Sequence, residues 1–386
     1  MEYIAYHPFL ETMLQIRCAE GKIQSITPAV ECESSLLLTP GFCDLQVNGG
    51  FGIDLNDASL TPQDVILLNQ RLLQHGVTAW CPTVITAEHH HMLHNLAVID
   101  TACQMDALLA QCVVGIHLEG PYLSGHEGAR GAHPLEFVRK PDLSVFDEYQ
   151  CAANGRIKII TLAPELDGAE ELIRMLSAEG IVVAIGHSMA NRQQIQSAVK
   201  AGARLATHLG NGLAACVHRH DNPFIHMLAE DGLFASVIFD RHHLPADVRR
   251  LILRTKGIDR LVMVSDATRL TGMPPGVYDE SIGGKVELSS DRRLSLAGTP
   301  YLAGAAMSLL EDVNVMLMEG EPDRQQLLQL SMQNPLGLLR IQPDSLVLLN
   351  LNPVTNQFEV VFSAVAGQLY YDPKENQNGA TPYPTI

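Results

Sequence analysis

Eight short apolar runs recur at fairly even spacing between Leu38 and Asp266, and each ends in a polar residue able to do chemistry. The first reads Leu38-Thr-Pro-Gly-Phe-Cys-Asp-Leu-Gln46-Val-Asn48, and the next three run from Val77 to Thr83, Val113 to Glu119 and Ile157 to Glu165. The last four run from Val182 to His187, Leu205 to His208, Phe234 to His243 and Leu261 to Asp266. Helical marks lie between them. Thr61 is a cap before Pro62, Val65, Leu68, Leu72 and Leu73 follow at helical spacing, and Gly76 closes the segment. Asp167 to Gly180 and the stretch opening at Pro245 behave alike. Eight strand–helix units predict an α/β chain folded as a (β/α)8 barrel of the TIM type. In that fold the active site forms at the C-terminal ends of the strands.

The chain has 386 residues, more than the roughly 250 a barrel needs. The surplus lies at both ends. Residues 1–37 hold short strand-like runs at Leu14–Cys18 and Gly21–Ile26, and residues 341–372 hold three more at Ser345–Leu351, Phe358–Phe362 and Gly367–Tyr371. These are expected to join into one small β-sandwich domain, discontinuous in sequence, flanking a barrel of residues 38–340. Residues 373–386 are polar and read as a flexible tail.

A hydrophobic content of 46% allows a large core, and a formal net charge of −17 argues against nucleic acid or an anionic membrane as partner. An anionic substrate is compatible with that charge, because a few local cations can dominate a pocket. No apolar run reaches the roughly 18 residues of a membrane span. Met1-Glu-Tyr-Ile-Ala-Tyr lacks the basic opening and apolar core of a signal peptide. None of the 8 cysteines forms a CxxC pair and several sit in apolar runs, so they read as reduced core thiols of a cytoplasmic protein.

Glu119, His187 and His208 end three different runs. A carboxylate and two imidazoles suit a borderline divalent metal such as Zn²⁺, with one position open for water. Asp266 ends the eighth run, where a carboxylate could take a proton from metal-activated water and hand it to a leaving group. A lone histidine at a strand end is usually structural, but four such residues at four strand ends converge on one mouth. His117, two before Glu119 and on the same strand face, reads either as a partner of the metal ligands or as a core histidine. Glu165 reads as a support of the site, and Glu88-His-His-His91 as a solvated helix face.

Several segments resemble the N-acetylglucosamine-6-phosphate deacetylases of the amidohydrolase superfamily. They are Pro40-Gly-Phe-Cys-Asp-Leu-Gln-Val-Asn-Gly-Gly, His75-Gly-Val-Thr-Ala-Trp-Cys-Pro-Thr, Gly115-Ile-His-Leu-Glu-Gly-Pro-Tyr and Gly131-Ala-His-Pro, then Leu162-Ala-Pro-Glu, Gly186-His-Ser, Thr207-His-Leu-Gly-Asn and Ser265-Asp-Ala-Thr. The matches run in order from about residue 38 to 313. The resemblance implies metal-dependent removal of acetyl from an amino-sugar 6-phosphate. Glu119, His187 and His208 would hold the metal, Asp266 would act as general acid/base, and His243 would help polarise the amide carbonyl. Other amidohydrolases carry His-x-His after the first strand and bind a second metal there. Gln46-x-Asn48 stands in that place, which implies one divalent ion per subunit: zinc first, with iron, cobalt or manganese as alternatives. The resemblance further implies sugar contacts from Ala132, His133, Leu302, Ala303 and Gly304, and phosphate contacts from Asn211, Gly212 and Arg219. Arg219 would reach across from a neighbouring subunit of a homodimer, a guanidinium being a natural phosphate clamp.

The departures from the family pattern cluster at the substrate end: Gly210-Asn-Gly-Leu, Asp240-Arg-His-His243, Arg219-His-Asp-Asn-Pro and a longer loop carrying Gly125-His-Glu-Gly. Arg241, where the family has glycine, is expected to add a phosphate contact, to read another acidic group, or to lie on the solvent rim. Alternatives to the leading reading are the same chemistry on N-acetylgalactosamine 6-phosphate or another N-acylated substrate, and a non-catalytic sugar-phosphate sensor.

Overall fold

The computed structural model describes residues 1–30, 32–280 and 284–371. The tail expected at 373–386 lies outside the described residues. Four strands open the chain: β1 (Glu2–His7), β2 (Thr12–Ala19), β3 (Lys22–Pro28) and β4 (Leu36–Thr39). The barrel begins with β5 (Phe42–Val47), which is followed by the two-residue strands β6 (Gly49–Gly50) and β7 (Ile53–Asp54). It continues with β8 (Val77–Ile85), β9 (Ile116–Glu119), β10 (Ile157–Leu162), β11 (Val182–Ile185), β12 (Leu205–Ala206), β13 (Phe234–Val237) and β14 (Leu261–Met263). An antiparallel sheet of β15 (Gly276–Glu280), β16 (Gly284–Leu288) and β17 (Leu294–Leu296) follows. The chain returns to its first sheet through β18 (Ser345–Asn352), β19 (Gln357–Val365) and β20 (Gln368–Tyr371).

The eight runs become one eight-stranded parallel sheet in the order β14-β13-β12-β11-β10-β9-β8-β5. A parallel bridge between Val47 and Ala267 joins its two edges, and the amides of Asn48 and Gly49 both donate to the Ala267 carbonyl, at 2.9 and 3.0 Å. The fold is the (β/α)8 barrel that the spacing predicts. The expected helices lie between the strands. Thr61 caps Pro62–Gln74 in a capping box with Asp64, and the segments after Asp167 and Pro245 form Ala169–Ala178 and Ala246–Lys256.

Strand alternation divides the core into two layers. Cys43, Leu45, Ala79, Cys81, Ile159, Ala184, Leu205 and Val262 fill the barrel interior, where small side chains fit the narrow lumen. Trp80, between Ala79 and Cys81, faces the helices, is fully buried, and donates its indole N–H to Asn69 Oδ1 at 2.9 Å. Two of the eight free cysteines are therefore lumen fillers, and Cys81 Sγ–H is pushed by burial well above the usual thiol range.

The chain ends build one sheet in the order β1-β2-β3-β20-β19-β18-β4, closed on itself by β1 against β4. Its two halves meet at Gln368 opposite Lys22 and Tyr6 opposite Leu37, and they enclose Tyr3, Ile16, Leu38, Leu348 and Phe362. Leu36–Thr39 pairs with β18, so the change from this sheet to the barrel falls between Thr39 and Phe42.

Trp80→Ala would empty the largest fully buried site and leave the Asn69 carbonyl without its donor. A loss of about 3–5 kcal/mol is expected, read as a lower urea midpoint by far-ultraviolet circular dichroism with an unchanged native spectrum.

Candidate active site

Glu119 is the last residue of β9, and His187 and His208 each follow their strands by two residues. All three are buried, and their reactive atoms converge. Glu119 Oε1 lies 3.0 Å from His187 Nε2 and 3.0 Å from His208 Nε2, and the two nitrogens are 3.0 Å apart. His187 donates through Nδ1 to the Ala129 carbonyl at 2.9 Å, which turns Nε2 toward the other two atoms. Hydrogen bonds cannot satisfy three such atoms around one point. One carboxylate oxygen and two imidazole nitrogens are the donor set a borderline divalent cation takes, so the residues present fit a metal.

Electrostatics points the same way. Burial alone would raise the Glu119 pKa, but hydrogen bonds and charge from His187 and His208 hold it well below the usual carboxylate range. Burial pulls His208 down, but the hydrogen bond and charge of Glu119 together with the Asp266 charge oppose it, and its pKa is raised. His133, expected at the sugar, stands closer to the metal ligands than a peripheral contact would. Its Nε2 is 3.3 Å from His187 Nε2, and Glu119, His133 and His187 offer ligand atoms within 4.8 Å of one another. Burial, then the neighbouring His187, push the His133 pKa down to about 3, so this ring is neutral and available as a donor or ligand.

Asp266 follows β14 by three residues and is half-buried. Burial and the Glu119 charge push its pKa up to about 6, against the opposing pull of His208, His243 and the Asn48 amide. Asn48 Nδ2 donates to Asp266 Oδ1 at 2.7 Å. Gln46, at the other metal-ligand position of related barrels, is buried with neither amide atom paired. Gln46 and Asn48 thus differ in use, one buried with its amide unpaired and the other gripping the carboxylate.

Three of the four strand-end residues have left-handed backbone: His187 at φ 50°, His208 at φ 31° and Asp266 at φ 51°. Such conformations cost about 1–3 kcal/mol each, and hydrogen bonds around them hold the turns. Ser236 Oγ accepts from the His208 amide at 2.8 Å, while Glu165 accepts from Ser188 Oγ and the Met189 amide, both at 2.6 Å. Glu165 therefore fastens the segment after His187. His117 is a core histidine, bonded to the Leu45 carbonyl at 3.1 Å and Thr161 Oγ1 at 2.7 Å, with its pKa pushed by burial down to about 4. His89 of the histidine run is half-buried and clips its helix to Tyr149 and Glu148, both at 2.9 Å, rather than facing solvent alone.

His243 lies three residues after Asp240 and donates through Nδ1 to Asp240 Oδ2 at 2.7 Å. Asp240 Oδ1 accepts the amides of His242 and His243, both at 2.9 Å, and these contacts keep the Asp240 pKa low against the effect of burial. The pairing is legible in hindsight from the spacing Asp240–His243, and the Asn48 grip on Asp266 carries no such signal. The other residues expected at the substrate are placed as follows. Gly131 and Gly212 flank the His187 ring so closely that an added Cβ would lie 3.1 and 2.9 Å from it. Asn211 bonds the His208 carbonyl through its amide at 2.9 Å. Ala132 and Arg219 are exposed, and Arg219 has no ion pair among the described residues. Leu302, Ala303 and Gly304 link the β15–β17 sheet to the seam, and a Cβ on Gly304 would meet Thr268 at 2.7 Å. Arg241 is exposed, in left-handed backbone at φ 63°.

A closed eight-stranded parallel barrel with carboxylate, imidazoles and aspartate at its C-terminal mouth defines a hydrolase of the amidohydrolase superfamily, which uses a divalent metal. No protein-family model matches the chain. The N-acetylglucosamine-6-phosphate deacetylase of Bacillus subtilis (strain 168) is 34% identical over 77% of this chain and 76% of its own. That of Danio rerio is 34% identical over 72% and 69%. The crystal structure of the deacetylase from Pasteurella multocida superposes with a TM-score of 0.81 at 25% identity, covering 96% of this chain and 99% of the other. The chain belongs to the N-acetylglucosamine-6-phosphate deacetylase family, and it acts as a hydrolase on an amide bond.

Gly212→Ala would place a methyl group against the His187 ring at a left-handed position, φ 61°. Divalent-metal affinity is expected to fall about 10–100-fold, measured by competition with a chromophoric chelator.

Proposed function

We propose that this enzyme hydrolyses the N-acetyl group of N-acetyl-D-glucosamine 6-phosphate, giving glucosamine 6-phosphate and acetate. The observation that carries the reading is the convergence of Glu119, His187 and His208 within 3.0 Å beside a half-buried Asp266. A single divalent cation, zinc by its donor set, held by those three residues would supply the Lewis acidity that activates water and polarises the carbonyl.

The chain's own residues do the rest. Asp266, oriented by Asn48, accepts a proton from water as the water oxygen adds to the acetyl carbon. It then returns that proton to the nitrogen as the C–N bond breaks, so the amine leaves neutral. His243, its Nδ1–H tied to Asp240, directs Nε2 into the mouth. In its protonated form it donates to the carbonyl oxygen as negative charge develops there. A pKa of about 6 suits Asp266 to both proton transfers near neutral pH.

Ala132, His133, Leu302, Ala303 and Gly304 are assigned to the sugar, and Asn211 and Gly212 to the phosphate. Arg219 completes the phosphate site of a second subunit in a homodimer. Its exposure and lack of an ion pair among the described residues support that assignment. No helix of the described residues is long and apolar enough to cross a membrane, and eight free thiols accord with work in a reducing cytoplasm.

Acetate release from N-acetylglucosamine 6-phosphate, beside the unphosphorylated sugar and N-acetylgalactosamine 6-phosphate, tests the substrate. Fast release from the first alone is expected, and equal rates with and without phosphate would sink the reading. Asp266→Asn is expected to lower kcat at least 10²–10⁴-fold with metal content unchanged by atomic absorption. Loss of metal in that variant would instead make Asp266 a ligand.

A further inference from the structure

A cavity lies at the other end of the barrel from the catalytic mouth. It has a volume of about 530 Å³, within the range of small-molecule sites. Its wall is built from the N-terminal ends of strands. Val182 and Phe234 are the first residues of β11 and β13, Lys158 is the second of β10, and Arg204 immediately precedes β12. The segment Gly337–Ile341, leaving the helix Asn334–Leu339, closes one side.

The lining has an unusual charge for this chain. Lys158, Arg204 and Arg340 all face the cavity and no carboxylate does, although the chain carries a formal net charge of −17. None of the three forms an ion pair among the described residues. Arg204 is already oriented: its Nη1 donates to the carbonyls of Val199 and Ala203 at 3.1 and 2.8 Å, leaving the rest of the fork free. The Ser177 hydroxyl, also in the wall, is hidden from solvent and has no hydrogen-bond partner. Apolar surface from Ile181, Phe234 and Leu338 completes the lining.

Three unpaired cations with an unsatisfied hydroxyl recognise a compact dianion, and apolar walls recognise an attached organic body. We propose that this basal cavity is a second ligand site, specific for a small phosphate monoester and separate from the catalytic centre. A ligand there would sit at the foot of β10 and β11, whose upper ends lead to Glu165 and His187.

The test is calorimetric titration of the full-length, metal-loaded protein with phenyl phosphate, with phenol as the neutral control. Phenyl phosphate is expected to bind and phenol not to. In Lys158→Gln/Arg340→Gln, both positions being solvent-exposed, the basal binding event is expected to weaken at least tenfold. Arg219→Gln is expected to retain it. Acetate release, measured on the same preparations, is expected to be unchanged in the double variant, which separates this proposal from the deacetylase reading. A wild-type protein that takes up no phenyl phosphate, or a double variant that titrates like wild type, would overturn the proposal.

Discussion

The seam between the first and eighth barrel strands is the constraint on which the rest depends. Seven strand pairs are joined by ladders, two of them with register shifts, but the closure rests on Val47 against Ala267, on two amides sharing the Ala267 carbonyl, and on Asp44. The buried Asp44 carboxylate accepts from the Ser265 amide at 3.2 Å and the Gln46 amide at 3.3 Å. Burial raises its pKa to about 7 despite those bonds. The next residues on either side are Asn48 and Asp266, themselves paired. Closing the barrel and aiming the aspartate are therefore one event, and a defect in the seam would reach the chemistry before it reached the outer helices.

The mouth is made by breaking strands rather than extending them. A side chain on a regular strand points into the lumen or toward the helices. His187, His208 and Asp266 do neither, because a left-handed residue turns each across the opening. The turns are held by Ala129, Ser236, Glu165 and Asn48, none of which is a metal ligand in the arrangement proposed. Gly131 and Gly212 let two loops close on the His187 ring where any other residue would collide. This shell of supports explains why the ligand atoms converge so tightly within an acidic chain.

Much of this was legible in the residues. Apolar runs of four to six residues with polar ends mark barrel strands, and a carboxylate and imidazoles at those ends mark a common mouth. Three things were not legible. The left-handed turns fall on histidine and aspartate, types with no strong demand for that backbone. The β15–β17 sheet has only short, weakly alternating strands, with Val277 exposed and Val286 and Leu288 buried against Leu270. The roles of Gln46 and Asn48 depend on which strand lies across the seam, and that is settled by closure rather than by local pattern. His89 was misleading because its partners, Tyr149 and Glu148, come from a helix some sixty residues on.

The sheet made from the chain ends has a consequence for synthesis. Ser35 and Asn350, joined at 2.8 Å, are 315 residues apart, and β3 meets β20 only when nearly the whole chain exists. The first three strands thus leave the ribosome as a meander with an open edge, and the entire barrel can form while they wait. Strands β18 to β20 are made after the barrel strands. The making of β20, rather than assembly of the barrel, is the moment at which β1 to β3 lose their capacity to pair with a stranger.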